Sequence, residues 1–283
     1  MNNKPILAYL LGVIVSCCLS ANTYADQRIV TIGGTLTEIA FLLGSGQQLV
    51  ASDTSSIYPE QANHMPKVGY QRTLSVEGVL SVQPDILLIT PAAGPAKVLQ
   101  QLADNGIQLI TVQAPDSQQG ILEKIEQVAK ALNKEERGAQ VITKLKQDFA
   151  ALSTPNAWLT HRQPRLLFVL QVGGTPMVAG NHTGPDALIQ IAGASNAVEG
   201  VNGYKPLTPE AILLAQPDAI LVTQQGLTRA GENSLWSLPG MAATPAGKNR
   251  RLIALDALLA LGLGPRTPEA AEYLQQQLSD WQP

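Results

Sequence analysis

Seventeen residues of this chain occur twice. Residues 74–90 read LSVEGVLSVQPDILLIT, and residues 207–223, 133 positions later, read LTPEAILLAQPDAILVT. Leu, Glu, Leu, Gln, Pro, Asp, Leu and Thr recur at matched steps, so the chain is expected to fold as two related lobes. A cleft between such lobes is a natural ligand site.

Each copy opens with a helix start. Ser75 and Thr208 can accept hydrogen bonds from free amides, and Pro209 takes the first helical position, where its missing N–H costs nothing. Each copy closes with Gln-Pro-Asp, in which Pro84 and Pro217 end the helix. The chain then enters short apolar runs at 86–89 and 219–222, unbroken by charge, as parallel strands covered on both faces require. Further strands are expected at 28–32, 108–112, 166–170 and 251–254, with helices between them. This alternation predicts an α/β fold of two Rossmann-like lobes, each around a central, mainly parallel sheet.

The predicted layout is an N-terminal lobe at 26–133, a connecting helix at 134–153 and a C-terminal lobe at 154–283. Val141, Ile142, Leu145, Phe149 and Leu152 recur at helical spacing with charges on the other face. About twenty helical residues span roughly 30 Å, enough for a stiff strut between lobes. Polar and turn-forming residues at 153–164 read as the entry into the second lobe. Gly33-Gly34-Thr35 lacks the later spacing of a nucleotide fingerprint and reads as a tight turn into a helix over 36–43.

Residues 1–25 have the pattern of an export signal. Lys4 supplies a positive start, residues 6–19 are mostly apolar, and Thr23 and Ala25 are small where a signal peptidase reads them, so cleavage before Asp26 is expected. The apolar run is shorter than the roughly 18 to 20 residues of a spanning helix, and no later stretch qualifies, so the mature chain is expected in the periplasm without stable membrane insertion. Cys17 and Cys18 both lie in this segment, which leaves the mature chain without a disulfide or a thiolate metal ligand. Ile14-Val15-Ser16-Cys17 loosely matches a lipoprotein cleavage box, the alternative in which Cys17 carries an anchor. The chain has 19 Lys and Arg against 22 Asp and Glu, net -3; removing Lys4 leaves 18 against 22, net -4. With no basic stripe, nucleic acid is not an expected partner.

Three stretches carry a resemblance that covers essentially the whole mature chain: Gly33-Gly34-x-Leu36-Thr37-Glu38, Asp53-Thr54-x-x-x-Tyr58-Pro59, and Val68-Gly69-Tyr70-x-Arg72-x-Leu74-Ser75-x-Glu77-Gly78. The chain resembles the periplasmic substrate-binding proteins of ABC importers built on a rigid connecting helix, which serve haem, siderophores and cobalamin, and within them the haem-binding branch. The glycine turn is shared by the wider family, whereas Gly-Tyr-x-Arg ahead of the repeated helix is the discriminating piece. The resemblance implies that Tyr70 is the axial ligand of ferric haem, a b-type haem carried as cargo rather than as a catalytic cofactor. It also implies a monomeric carrier, not an enzyme, that meets an inner-membrane permease dimer with its ATPase.

The chemistry of that role is sound in itself. A tyrosine oxygen is a hard anionic donor suited to Fe(III). Ionising a free phenol at neutral pH costs about 4 kcal/mol, which the ferric ion and a nearby guanidinium offset. Arg72 either reaches the phenolate or pairs with a haem propionate.

Gly203-Tyr204-Lys205 is a near echo in the second lobe, slipped by one residue. Tyr204 is expected to stack on or hydrogen-bond the porphyrin, and Lys205 to meet a propionate or remain surface charge. His182, on the loop matching the glycine turn of the first lobe, is a candidate distal ligand. Relatives with a second haem carry a His before the glycine pair at the place where this chain has Gln171-Val172-Gly173-Gly174, which puts a second haem in doubt. His64 and His161 have no partner cluster, which argues against a Zn or Mn site. Glu77 and Glu210 sit in the first turns of the repeated helices, where they suit the helix dipole. The resemblance implies that they also meet arginines of the two-fold permease. A ferric-siderophore or cobalamin carrier is the alternative within the same architecture. A two-lobed α/β enzyme is the remote one, with no nucleophile elbow, Cys-His pair or metal-ligand helix to support it.

Overall fold

The computed structural model describes residues 27–152, 162–172 and 175–281. The export segment with Cys17, residues 153–161 of the expected entry, and Gly173-Gly174 lie outside the described residues. No helix among the described residues is long and apolar enough to cross a membrane.

The first sheet is built from β1 (Ile29–Ile32), β2 (Leu49–Ser52), β3 (Ile86–Ile89) and β4 (Gln108–Thr111), in the order β2-β1-β3-β4. All its pairings are parallel. Every residue of β1 and β3 is buried; β3 is an unbroken apolar run, and the one polar residue of β1, Thr31, hydrogen-bonds the Thr37 hydroxyl at 2.7 Å. The order reverses between β1 and β3, and at such a switch point the loops leaving the strands diverge and open a crevice.

The second sheet contains β5 (Arg165–Val172), β6 (Thr175–Ala179), β7 (Ser195–Asn196), β8 (Tyr204–Pro206), β9 (Ala219–Thr223) and β10 (Leu252–Leu255). Its order is β10-β9-β5-β6-β8, with β7 paired to β5. The β10-β9-β5 part is parallel, as expected, but β6 and β8 pair antiparallel. These two strands, and β2 and β7, lie outside the strands expected from the sequence. A parallel return needs a crossover of a dozen or more residues. Only two residues separate β5 from β6, so the chain returns antiparallel.

The repeat is an architectural device with the same bonds in each lobe. Gln83 and Gln216 both take left-handed backbone (φ 46° and 40°), a common helix stop, one residue ahead of a proline that cannot continue the helix. The aspartates that follow pair with the start of the lobe's first strand. Arg28 N–H donates to Asp85 Oδ2 at 2.8 Å while Asp85 N–H donates to the Arg28 carbonyl at 2.8 Å. In the second lobe Arg165 N–H donates to Asp218 Oδ2 at 2.9 Å and Asp218 N–H to the Arg165 carbonyl at 2.8 Å. Gln-Pro-Asp thus ends a helix, turns the chain and sets the register of two strands.

The helix Glu135–Leu152 buries Gly138, Val141, Leu145 and Phe149. It packs on helix Gln118–Ala131 of the first lobe and helix Thr267–Ser279 of the second. A Cβ at Gly138 would come within 2.6 Å of the Ala129 Cβ, so glycine permits the close approach of the first pair. Its buried face joins an apolar cluster that runs without interruption from Ile29 and Leu36, through Val141 and Phe149, to Leu166 and Leu278.

Polar contacts tie the lobes near the same place. Thr35 Oγ1 donates to the Gly262 carbonyl at 2.9 Å, and Arg266 binds both oxygens of Glu38 at 3.0 and 3.2 Å. The Arg266 guanidinium also lies 3.4 Å from the centre of the Tyr58 ring. Burial pushes the Glu38 carboxyl above the usual range, and Arg266 pulls it back. Removing the arginine strands a buried acid. Arg266→Ala is expected to cost about 3–5 kcal/mol in chemical denaturation at neutral pH. Adding Glu38→Gln should recover most of that loss, because the desolvated charge is gone.

Candidate functional site

Tyr70 stands on a braced segment. Beyond β2 the chain doubles back, and residues 66–69 lie against the strand end: Val68 N–H donates to the Ser52 carbonyl at 3.0 Å and Thr54 N–H to the Gly69 carbonyl at 2.9 Å. Lys67 Nζ secures the run by donating to Ser52 Oγ and to the Ser56 and Ala62 carbonyls at 2.8–2.9 Å. Burial lowers its ammonium pKa, against the pull of Asp53. Asp53 is fully buried and accepts from Gly33 N–H, Ser55 N–H and the Ser55 and Ser56 hydroxyls. One carboxylate thereby links the glycine turn after β1 to the loop after β2. Gly34 fits because a Cβ would meet the Ser55 carbonyl oxygen at 2.6 Å.

Gly69 takes φ 114°, outside the reach of ordinary L residues. A turn follows, closed by Thr73 N–H donating to the Tyr70 carbonyl at 2.9 Å. Gln71 is held inward: its carbonyl accepts from Gly94 N–H at 2.8 Å and its side chain from Thr90 Oγ1 at 3.1 Å. The flanking residues are left outside, with Tyr70 44% exposed and Arg72 exposed too.

Tyr204 comes from the opposite lobe, where β8 pairs it with Ala179 at the end of β6. The echo of Gly69-Tyr70 in Gly203-Tyr204 is one of sequence: Tyr70 sits in a turn and Tyr204 in a strand. Tyr204 packs its ring against the shared apolar cluster. Its phenol is pushed up to about 12, first by burial and then by the charge of Asp116, while Arg72 acts in the opposite direction. Arg72 and Asp116 belong to the first lobe, so Tyr204 feels the charge of both from across the lobe boundary. Asp116 was not singled out from the sequence. It lies in the loop after β4, ahead of the Ser117 cap, and its only local signal is that capping loop. It also acts on the ammonium of Lys124, which burial lowers and which donates to the Leu263 carbonyl of the second lobe at 3.4 Å.

Lys205 is exposed on β8. His182 is exposed in the bend ahead of helix Gly184–Ile191, at φ 60°. It adjoins Asn181, whose N–H donates to the Val201 carbonyl at 2.7 Å, so His182 shares a corner of the lobe with the strand that carries Tyr204. Glu77 and Glu210 are exposed in the first turns of helices Val76–Leu80 and Pro209–Ala215, capped by Ser75 and Thr208. Among the described residues no three His, Cys, Asp or Glu side chains are grouped to hold a metal ion. A separate pocket walled by Phe41, Leu42, Tyr58 and Pro59 adjoins the Glu38–Arg266 pair. Its charges are spent on each other, and neither Tyr70 nor Tyr204 lines it.

Two α/β lobes, a connecting helix and polar groups converging from both sides define a solute-binding architecture. Residues 29–259 match the periplasmic binding protein family, and the chain belongs to it. It is 40% identical to the periplasmic heme-binding protein RhuT from Roseiflexus sp. RS-1 in apo form, with a TM-score of 0.84 over 90% of this chain and 98% of that one. It is 41% identical to the periplasmic heme-binding protein BhuT in complex with two hemes, with a TM-score of 0.83 over 90% and 98%. The vitamin B12-binding protein of Vibrio vulnificus (strain CMCP6) is 27% identical over 268 residues, 94% of each chain.

The raised Tyr204 phenol gives a measurable signature. The stability it contributes is complete below its ordinary value of 10.0 and is lost as pH rises from there through about 12. Ultraviolet titration of tyrosinate should show a late step near the upper value that disappears in Tyr204→Phe.

Proposed function

We propose that this protein captures haem in the periplasm and delivers it to an inner-membrane ABC permease whose ATPase supplies the work. It is a carrier rather than a catalyst, with residues 26–133 and 154–283 as its lobes and the segment before Asp26 removed on export. The observation that carries this reading is the braced Gly69-Tyr70-Gln71-Arg72 turn. It leaves a half-exposed phenol and an exposed guanidinium, whose charge reaches Tyr204 of the other lobe, while Gln71 is tied inward. Two haem-binding proteins about 40% identical over nearly their whole length support it.

In this reading Tyr70 supplies the oxygen that holds ferric iron. Arg72 stabilises that anion or takes a propionate, and Lys205 takes a propionate on the other side. Tyr204, kept neutral well into the alkaline range, offers a hydroxyl and a ring face instead of a second anionic ligand. His182 adds an imidazole at the same corner. Glu77 and Glu210 present one acid from each lobe to cationic groups of the permease. The shared core and the Glu38–Arg266 pair resist wide opening, so release requires the permease to prise the lobes apart.

Cobalamin is the second reading, favoured by the vitamin B12-binding relative. A corrin needs aromatic walls, and among the residues proposed above for ligand contact, Tyr70, Arg72, His182, Tyr204 and Lys205, only the two tyrosines and the His182 imidazole are aromatic. Mixing the purified protein with hemin should shift and sharpen the Soret band of free hemin, whereas cyanocobalamin should keep its own spectrum unchanged. Arg72→Ala should weaken hemin binding by roughly 10–100-fold, the range for losing a group that supports a metal ligand. Tyr70→Ala should weaken it by more and shift or abolish the Soret band. Unchanged affinity in Tyr70→Ala would overturn the ligation.

A further inference from the structure

Helix Pro209–Ala215 buries Ile212 and Ala215 against its lobe. Positions 210, 213 and 214, at spacing i, i+3, i+4, share the outward face. They hold Glu210, Leu213 and Leu214. Leu214 is 85% exposed, whereas the other exposed large apolar side chains among the described residues reach only 37% to 44%. Leu213 is seated against the turn at Gly240, where an added Cβ would lie 3.3 Å from its Cγ; Leu214 projects beyond it.

Charge marks the same face. The Glu210 carboxyl is held below the usual carboxylate range by its own backbone amide and the Thr208 hydroxyl, so it is anionic at neutral pH. A negative group one turn from a projecting leucine fits an apolar socket with a cationic rim. The matching helix of the first lobe is built differently. Glu77 and Leu80 occupy the equivalent steps, but Ser81 stands where the second lobe has Leu214, and its hydroxyl folds back to the Gly78 carbonyl at 2.8 Å. A two-fold partner offers two equivalent sockets, and here it would meet one face with an apolar projection and one without.

We propose that Leu214 is an apolar anchor for docking on the permease, entering a socket beside the cationic group that meets Glu210, so that the second lobe is the tighter foot and the first the looser. This rests on the carrier reading above and adds a residue and an asymmetry to it. Full burial of a leucine side chain corresponds to roughly 10–100-fold in affinity.

The test measures binding of the full mature chain to its permease–ATPase complex in lipid nanodiscs, for wild type, Leu214→Ser, Ser81→Ala, Glu77→Gln and Glu210→Gln. Leu214→Ser is expected to bind about 10–100-fold more weakly, with its hemin spectrum and denaturation midpoint unchanged, while Ser81→Ala binds as wild type. If Leu214→Ser binds normally while the glutamate variants bind weakly, the anchor is wrong and the docking reading survives. If all five bind equally, the docking reading fails and the anchor with it. Sedimentation covers the remaining occupant: a wild-type dimer that Leu214→Ser converts to monomer would assign the face to a second copy and overturn the proposal.

Discussion

One apolar cluster shared by both lobes is the constraint on which the rest of the structure depends. It passes from β1 and the helix Gly34–Leu42 through the buried stripe of helix Glu135–Leu152 into β5 and the helix Thr267–Ser279. Swinging one lobe away from the other would expose part of that surface at about 25 cal/mol for each Å² of apolar area. The Glu38–Arg266–Tyr58 stack adds a directional restraint, because a bidentate pair beneath a cation–π contact tolerates little sliding. The relation between the two lobes is therefore fixed by the shared core and this stack together.

That rigidity gives meaning to the careful bracing of the Tyr70 turn. Asp53 and Lys67, both taken up with backbone and hydroxyl partners, spend their charges on holding two loops in place. Their contribution to any ligand is positional: in the proposed carrier, a phenol that is to meet iron in one geometry needs a backbone that does not drift. Opposite it, Tyr204 is held by a strand and by the core, so the two phenols are presented by unlike supports. The lobes are related in sequence but not interchangeable at the site, and the same inequality recurs on the outer faces of the repeated helices.

Much of the architecture was legible in the residues. The unbroken apolar runs of β3 and β9 announced buried parallel strands, and Ser75, Thr208, Pro84 and Pro217 marked helix ends, because those signals are local. The antiparallel β6 and β8 were not legible. Met177, Val178 and Tyr204 sit among polar and turn-forming residues, and their pairing depends on a short return of the chain rather than on any run. Asp116 escaped notice for a related reason, being one acid in a loop of ordinary capping residues. Its effect on Tyr204 joins two segments distant in the chain.

The amino-acid order by itself determined the two-fold repeat, the strand and helix starts, the bridging helix and the motif around Tyr70, since each rests on spacing within a few turns of chain. Tertiary structure alone decided which groups meet, Arg266 with Glu38 across 228 positions and Lys124 with the Leu263 carbonyl across 139, and that the charges of Arg72 and Asp116 act on Tyr204. Local propensity carries no information about such distances. These contacts exist because burying a common core brings the two lobes into one fixed relation.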